Sequence, residues 1–345
     1  MKILLGMSGG VDSCAAAKIL QQDGFDVVGC CLLLTPQSAP DGAEVQRAKQ
    51  AAHTLGIELI VSDCRALFKS AVIDPFANAY ACGRTPNPCV ACNPAVKIAS
   101  LCRIADENGI QAVATGHYAR IDRTTARLLC SPSKKDQSYF LYRLTAEQLK
   151  RLYFPLGEHT DKADIRTIAA QAGFDAASAK DSQEICFLPD GDYAGFIASL
   201  PGIECKEGAF LDIHGNRIGT HRGIIHYTVG QRRGLGIAAA TPLYVVRICP
   251  ETNTVVLGQN EDLFNRELTA GNVNLIAMDR MDAPLRCMAK IRSRHTEQPC
   301  TAVQTGPDTL RVVFDEPQRA ITPGQAVVLY DGDLVLGGGL IRSNP

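Results

Sequence analysis

Through the first half of the chain, short apolar runs alternate with longer stretches in which apolar residues recur every three or four positions. Lys2–Gly6, Phe25–Leu34, Glu58–Val61 and Gln111–Thr115 have the length and apolar content of buried strands. Ser13–Gln22, Glu44–Leu55, Arg65–Tyr80 and Pro94–Glu107 carry helical periodicity. The alternation predicts an α/β fold with a doubly wound parallel sheet, because parallel strands need crossovers that cover both faces. Gly24, Gly56 and Gly109 each fall between a helical run and the next strand, where a left-handed C-cap is needed. Ligands of such sheets collect beyond the carboxyl ends of the strands, which directs attention to the turn after Lys2–Gly6.

From about Asp161 the pattern changes. A helix is expected over Asp161–Gln171, then irregular sequence through Asp181–Phe187, then a short helix near Tyr193–Leu200. Beyond Glu207 only short strand-like runs follow: Leu243–Ile248, Thr254–Leu257, Val273–Ile276, Cys287–Ile291, Leu310–Phe314, Ala326–Tyr330 and Leu334–Leu336, with Asn, Gly, Asp and Pro between them. Asp331-Gly332-Asp333 is a hairpin signal. The second half is therefore expected to be a small central domain and a C-terminal β-barrel. Linkers near Asp190–Asp192 and Asn265–Glu267 would divide the chain into 1–191, 192–265 and 266–345.

A length of 345 residues agrees with two or three domains. No apolar run is long enough to span a bilayer, and the glycine-rich turn after Gly6 makes the first residues a strand rather than a leader. The 14 cysteines are scattered, which points to the cytosol. Cys14, Cys30, Cys31, Cys64, Cys249 and Cys287 stand in apolar stretches and read as small core residues. The formal net charge is -1, yet residues 84–151 hold 11 Lys and Arg against 5 Asp and Glu, a basic stretch suited to a polyanion.

The candidate chemistry begins at Ser8-Gly9-Gly10-Val11-Asp12-Ser13, between a strand and a helix. Two glycines let the backbone approach an anion, Ser8 and Ser13 add hydroxyls, and the helix N-terminus adds its dipole. No Gly-Lys-Ser/Thr follows, so this is not a Walker loop and pyrophosphate chemistry is favoured. Asp12 would hold Mg²⁺ or simply cap the helix. The loop resembles that of the N-type ATP pyrophosphatases (PP-loop group), which cleave ATP between the α- and β-phosphates to form an adenylate.

Gly83–Asn93 contains Pro86, Pro88 and the pair Cys89 and Cys92, and is expected as a rigid extended loop between helices. Cys-x-x-Cys is also half a zinc site, but no second close Cys or His pair accompanies it. Cys186, alone in Ile185-Cys186-Phe187, reads by itself as a core residue. Seven stretches in order, Gly6–Ser13, Gly83–Asn93, Thr115–Arg120, Lys135–Leu141, Lys180–Phe187, Tyr227–Gly236 and Gly337–Gly339, are together similar to the tRNA-specific 2-thiouridylase (MnmA) family over nearly the whole chain.

That resemblance implies ATP cradled by Gly6, Met7, Ser8, Gly9, Gly10, Val11, Asp12 and Ser13, with Leu32 and Gly116 beside the adenosine. The family usually has methionine where Leu32 stands. It implies that Cys92 is the nucleophile and Cys186 the persulfide carrier, and that Arg84 or Lys97 would favour the Cys92 thiolate. Asn87, Pro88 and Cys89 would line the target base. His117, Lys135, Asp136, Gln137, Arg292, Ser293 and Gln325 would contact tRNA, although the family usually has an aromatic at Ser293. The implied reaction adenylates the C2 oxygen of the wobble uridine and replaces it with persulfide sulfur, giving 2-thiouridine, AMP and pyrophosphate. Its partners would be tRNA and a sulfur-donor protein, and the chain a monomer. Some members carry Asp where Cys89 stands, and the cysteine leaves a second version open: a [4Fe–4S] cluster on Cys89, Cys92 and Cys186. Two further readings are a ligase that adenylates a small carboxylate without cysteines, and a tRNA-binding module with an inert loop.

Overall fold

The computed structural model describes residues 1–174, 185–188 and 190–343. The chain divides into two compact units, one of Met1–Val72, Cys89–Phe187 and Gly332–Leu336, the other of Ile73–Pro88, Leu188–Asp331 and Gly337–Pro345.

The first unit is built on a parallel sheet. Its strands are β1 (Lys2–Gly6), β2 (Asp26–Leu33), β3 (Glu58–Asp63), β4 (Ala112–Ala114) and Leu152–Tyr153, in the order β3, β2, β1, β4, Leu152–Tyr153. All four pairings are parallel. Helices α1 (Val11–Gln22) and α2 (Ala43–Leu55) connect the first three strands. Ile3 and Leu5 pack with Ala15, Ala16, Ala17 and Leu20 of α1 and with Ile165 and Ala169 of helix Lys162–Gln171. Alternate strand residues point the other way, and Gly6 meets Leu101 of helix Ala99–Glu107. Helices thus cover both faces, as the apolar pattern predicted. Gly24, Gly56 and Gly109 all have the expected positive φ, of 81°, 66° and 67°. A hairpin of Arg120–Asp122 and Arg127–Leu129, which the pattern did not predict, pairs through Leu129 with Leu334.

Two helical runs are less regular than expected. Arg65–Tyr80 becomes Arg65–Phe68, a π-helical stretch Lys69–Ile73, and Asp74–Ala81. Pro94–Glu107 begins as a π-helix over Asn93–Ile98. The expected extended loop Gly83–Asn93 is likewise corrected, since Pro88–Cys92 is a short helix. Pro88 opens that helix at a position where the missing N–H costs no hydrogen bond.

In the second unit, Tyr244–Cys249, Thr254–Gly258, Gly208–Leu211 and Arg217–His221 form a four-stranded sheet around Phe210, Tyr227, Val245 and Leu257. The C-terminal strands Phe264–Leu275, Thr309–Arg319, Gln298–Gly306, Leu285–Lys290, Ala326–Asp331 and Leu334–Ser343 follow in that spatial order, and the first closes on the last. Leu310, Val312 and Phe314 point inward while Arg311 points out, the period of two that made this segment readable as strand. Closure needs backbone to lie against backbone. A Cβ at Gly338 would collide with the carbonyl oxygen of Val327, which explains the glycine run Gly337–Gly339. Asn265–Glu267, expected as a linker, lies within Phe264–Leu275, where a β-bulge separates Asn265 from Glu267. Among the described residues no helix is long and apolar enough to cross a membrane.

Candidate active site

The sheet order turns at β1: the chain runs outward from it to β2 on one side and later returns to β4 on the other. Turns leaving adjacent strands in opposite directions open a crevice at such a point. A cavity of about 240 Å³ lies there, lined by Gly6, Met7, Ser8, Asp12 and Ser13 beyond β1 and by Thr115, Gly116 and His117 beyond β4. Gly9 turns the loop with φ of 73°, and a Cβ on it would stand 2.6 Å from the Arg47 carbonyl carbon and 2.7 Å from the Ala48 nitrogen. Gly10 is the N-cap of α1 without any side-chain cap, so the first N–H groups of the helix remain for a ligand. Ser13 turns its hydroxyl back to the Gly10 carbonyl, at 2.9 Å.

The opposite wall is braced by a short chain of hydrogen bonds. The Tyr118 hydroxyl donates to Asp12 Oδ1 at 2.9 Å, and the Tyr118 N–H donates to Gln137 Oε1 at 3.0 Å. Asp12 therefore keeps its second carboxylate oxygen for other partners, and beside that anionic group burial drives the Tyr118 phenol well above its usual pKa. His117 pairs through Nδ1 with Thr115 Oγ1 at 2.7 Å. Burial and the positive charge of Lys97 hold its imidazole down to about 3, so it is neutral. Leu32, Leu34, Leu101 and Cys30 give the cavity an apolar side suited to a flat heterocycle, and a Cβ on Gly116 would stand 3.2 Å from the Asp12 carbonyl oxygen, tight for any side chain.

Lys97 and Glu44 also line this cavity. The charge of Lys97 acts on Cys89, Cys92 and Cys186, and that of Glu44 on Cys186. The nucleotide crevice and the three thiols thus share a cation. Cys92 is buried at 5 % exposure, whereas Cys89 and Cys186 are exposed. Phe187 anchors Cys186 by packing edge-on against Phe68, ring centroids 5.6 Å apart. Lys180–Glu184, part of the motif around Cys186, lie outside the described residues. The expected partial thiolate at Cys92 is not what the resting site holds. Burial pushes that thiol up to about 12, and the opposing pull of Lys97 does not offset it. Arg84, the other cation expected near it, belongs to the second unit.

The residues expected to contact tRNA fall in both units. In the first, Gln137 lines the nucleotide cavity, Lys135 stands two residues away, and Asp136 spends its carboxylate on the N–H of Ser131 and the hydroxyl of Ser138. In the second, Gln325 donates to the Thr85 carbonyl at 2.7 Å, and Thr85 donates its N–H to Pro323, which fixes the segment leading to Asn87 and Pro88. Arg292 donates to the Ala320 carbonyl and Thr322 Oγ1 at 2.8 and 2.7 Å, inside the barrel wall. Ser293 follows in the turn after strand Leu285–Lys290.

Family models match the chain in three consecutive segments. A tRNA methyl transferase HUP domain covers residues 1–190, a tRNA methyl transferase PRC-barrel domain 197–259, and an aminomethyltransferase beta-barrel domain 265–341. A tRNA-specific 2-thiouridylase MnmA of Clostridioides difficile is 46 % identical, with 99 % of this chain and 98 % of that protein aligned. The chain belongs to the tRNA-specific 2-thiouridylase family. A second 2-thiouridylase, from Acetivibrio thermocellus, is also 46 % identical, over 99 % of both chains. Among solved structures, a 4-thiouridine synthetase–RNA complex with bound ATP matches 57 % of this chain and 49 % of that one at TM-score 0.36 and 17 % identity, too distant to bear on the site.

Within this 2-thiouridylase chain, sequence reasoning missed the roles of Glu44, Thr115 and Tyr118. Their signal was present only as position: Thr115 and Tyr118 follow the last residue of a strand adjacent to β1, and Glu44 opens a helix after β2. A phosphate-bound Mg²⁺ fits the site in one respect, the carboxylate of Asp12 with an oxygen facing the cavity. Among the described residues no group of three or more His, Cys, Asp or Glu is arranged to hold a metal. Mg²⁺ would be held chiefly by the nucleotide's own phosphates, with Asp12 as its protein ligand. Cys89, Cys92 and Cys186 are not such a group.

Proposed function

We propose that this chain is a tRNA-uridine 2-sulfurtransferase that consumes ATP to exchange the C2 oxygen of the wobble uridine for sulfur. The observation that carries the reading is the shared residue Lys97, which borders the nucleotide crevice and acts on the thiols of Cys92 and Cys186. A ligase of small carboxylates would need no thiol beside its adenylate. The full-length similarity to proteins named tRNA-specific 2-thiouridylase supports the same reading.

The C2 carbonyl of uracil is a poor electrophile with a poor leaving group, and transfer of AMP to its oxygen corrects both defects. The oxygen attacks the α-phosphorus, and pyrophosphate departs. Loop N–H groups and the Ser8 hydroxyl hold the phosphates in line, and neutral His117 closes the wall beside them without adding charge. Mg²⁺, when bound, supplies charge neutralisation for the departing phosphates. Sulfur then reaches C2 from the Cys186 persulfide, by direct attack or as sulfide released when Cys92 attacks the persulfide. AMP leaves; in the direct route Cys92 then attacks Cys186 Sγ and breaks the S–S bond, leaving the sulfur on C2, so either route ends in a Cys92–Cys186 disulfide that an external thiol reduces with two electrons. Exposure of Cys186 suits sulfur delivery by a donor protein, and burial of Cys92 suits a step that must exclude water.

In this reading residues 1–191 carry catalysis, 192–265 connect, and 266–345 meet the tRNA with Arg292, Ser293 and Gln325. Asn87, Pro88 and Cys89 line the base, and the chain acts as a cytoplasmic monomer. Nucleoside mass spectrometry of tRNA incubated with the protein, ATP, Mg²⁺ and a persulfide donor tests it. Wild-type protein should yield 2-thiouridine and AMP. Cys92→Ser and Cys186→Ser should yield none while still binding ATP. Wild-type protein that makes no 2-thiouridine, or Cys→Ser variants that retain full turnover, would overturn it. Iron-free protein that loses no activity would exclude the cluster version.

A further inference from the structure

Two cysteines that the proposed reaction does not use face each other in the C-terminal barrel. Strands Leu285–Lys290 and Gln298–Gly306 form an antiparallel hairpin in which Cys287 stands directly opposite Cys300. Both side chains turn to the buried face of their strands, beside Ala289 and Ala302. Their sulfurs lie 3.7 Å apart, and the Cys300 thiol also donates to the Cys287 carbonyl at 3.6 Å. Directly opposed residues of antiparallel strands have Cα atoms about 4.5–5.5 Å apart, inside the range that a disulfide spans. Side-chain rotation can therefore bring the sulfurs to bonding distance without moving the strands. The two thiols are not equivalent. Cys300 is fully enclosed, whereas Cys287 keeps 8 % of its surface exposed. The hydrogen bond with Cys300, helped by the Arg286 charge, draws the Cys287 thiol below its ordinary pKa against burial, while the same contact and burial push Cys300 up. Cys287 is thus the better nucleophile and Cys300 the resolving partner. The turn of this hairpin, residues 291–297, is closed by an ion pair of Lys290 with Glu297 at 3.0 Å, and inside it the His295 N–H donates to the Arg292 carbonyl at 3.1 Å. It carries Arg292 and Ser293, proposed above to meet the tRNA.

We propose that Cys287 and Cys300 are a reversible redox pair that closes to a cross-strand disulfide under hydrogen peroxide and stiffens the turn carrying Arg292 and Ser293. The Cys287 thiolate attacks one peroxide oxygen and the O–O bond breaks. Hydroxide leaves, takes up a proton as water, and Cys287 is left as a sulfenic acid. Cys300 Sγ then attacks Cys287 Sγ and loses its proton, and the sulfenic oxygen departs as a second water. The two thiols give two electrons to the peroxide, and an external dithiol returns them by exchange. Formation of the link is independent of the proposed thiolation, and its effect on tRNA rests on that reading.

The test treats wild type and a Cys92→Ser, Cys186→Ser double variant with hydrogen peroxide, alkylates the remaining thiols and digests with trypsin before any reduction. Cleavage after Arg286, Lys290, Arg294 and Arg311 leaves the two cysteines on segments 287–290 and 295–311. Both proteins should yield these segments as one linked peptide that dithiothreitol separates. Amide exchange of residues 291–297 should slow in the oxidised protein and recover on reduction. In Cys300→Ala, which keeps the site apolar, Cys287 should instead be trapped by dimedone as a sulfenic acid, with no slowing of exchange. A turn ordered in advance should bind tRNA about two- to fivefold more tightly in the oxidised double variant than in the reduced one. Segments recovered separately and alkylated after Cys186 has been oxidised would overturn the proposal, as would linkage of either cysteine to a different one. A link that forms without slowing exchange in the turn would also overturn it. Protein that forms the link but binds no tRNA in either state would instead count against the tRNA reading.

Discussion

At Cys92 two effects oppose each other: burial disfavours the thiolate, and the nearby Lys97 ammonium favours it. Burial wins, raising the pKa from its ordinary value to about 12. The sign fixes a testable behaviour. Below a raised pKa the thiolate fraction climbs about tenfold per pH unit, so Cys92 alkylation by iodoacetamide should rise steadily from pH 7 to pH 10 without levelling off. Lys97→Met should slow it at every pH. Peptide mass spectrometry of the labelled protein reads both effects, and a plateau below pH 8 would show that the resting thiol is already activated. A thiol kept protonated until substrate arrives is protected from stray oxidation, and the exposed Cys186 is free to meet a donor. The chemistry of these two cysteines was visible in the motifs around them. Their opposite exposures were not, because burial depends on which residues the fold lays over them.

Among the elements, the turn from β1 into α1 carries the tightest constraint. Gly9 has a positive φ and no room for a methyl group, because the backbone of Arg47 and Ala48 in α2 occupies that space. Gly9→Ala should therefore cost about 1–3 kcal/mol of stability through strain and displacement of α2. It should also weaken ATP binding by more than its effect on melting would explain, since the loop N–H groups rotate with Gly9. Thermal melts and ATP titration together check this, and unchanged binding would mean that the loop does not touch the phosphates. The strand–glycine–helix grammar of this turn was legible in the sequence, as were the glycine C-caps. The π-helical stretches Lys69–Ile73 and Asn93–Ile98 were not, since a stretch of little more than one turn is too short for its apolar pattern to reveal the wider period.

For the whole molecule, the two compact units allow stability and nucleotide binding to be separated. Arg292, proposed to meet the tRNA, also donates through Nη2 to the Ala320 carbonyl and Thr322 Oγ1. Arg292→Ala should lower the melting temperature by several degrees through about 1–3 kcal/mol of lost hydrogen bonding, and leave ATP affinity within about twofold. Sharply weaker tRNA binding by this variant would support Arg292 as a direct RNA contact, and unchanged melting would show that its hydrogen bonds contribute little to the barrel.

The sequence by itself determined what is local or periodic. That includes the parallel strands and their helices, the glycine loop that excludes a Walker mechanism, the alternating strands of the barrel, and the ordered motifs that carry the family resemblance. Tertiary structure decided which distant residues meet. The crevice between the turns after β1 and β4 and the Lys97 cation shared by nucleotide cavity and thiols both join segments far apart in the chain. Strand order creates those meetings, and periodicity within a segment carries no information about which strand will become its neighbour.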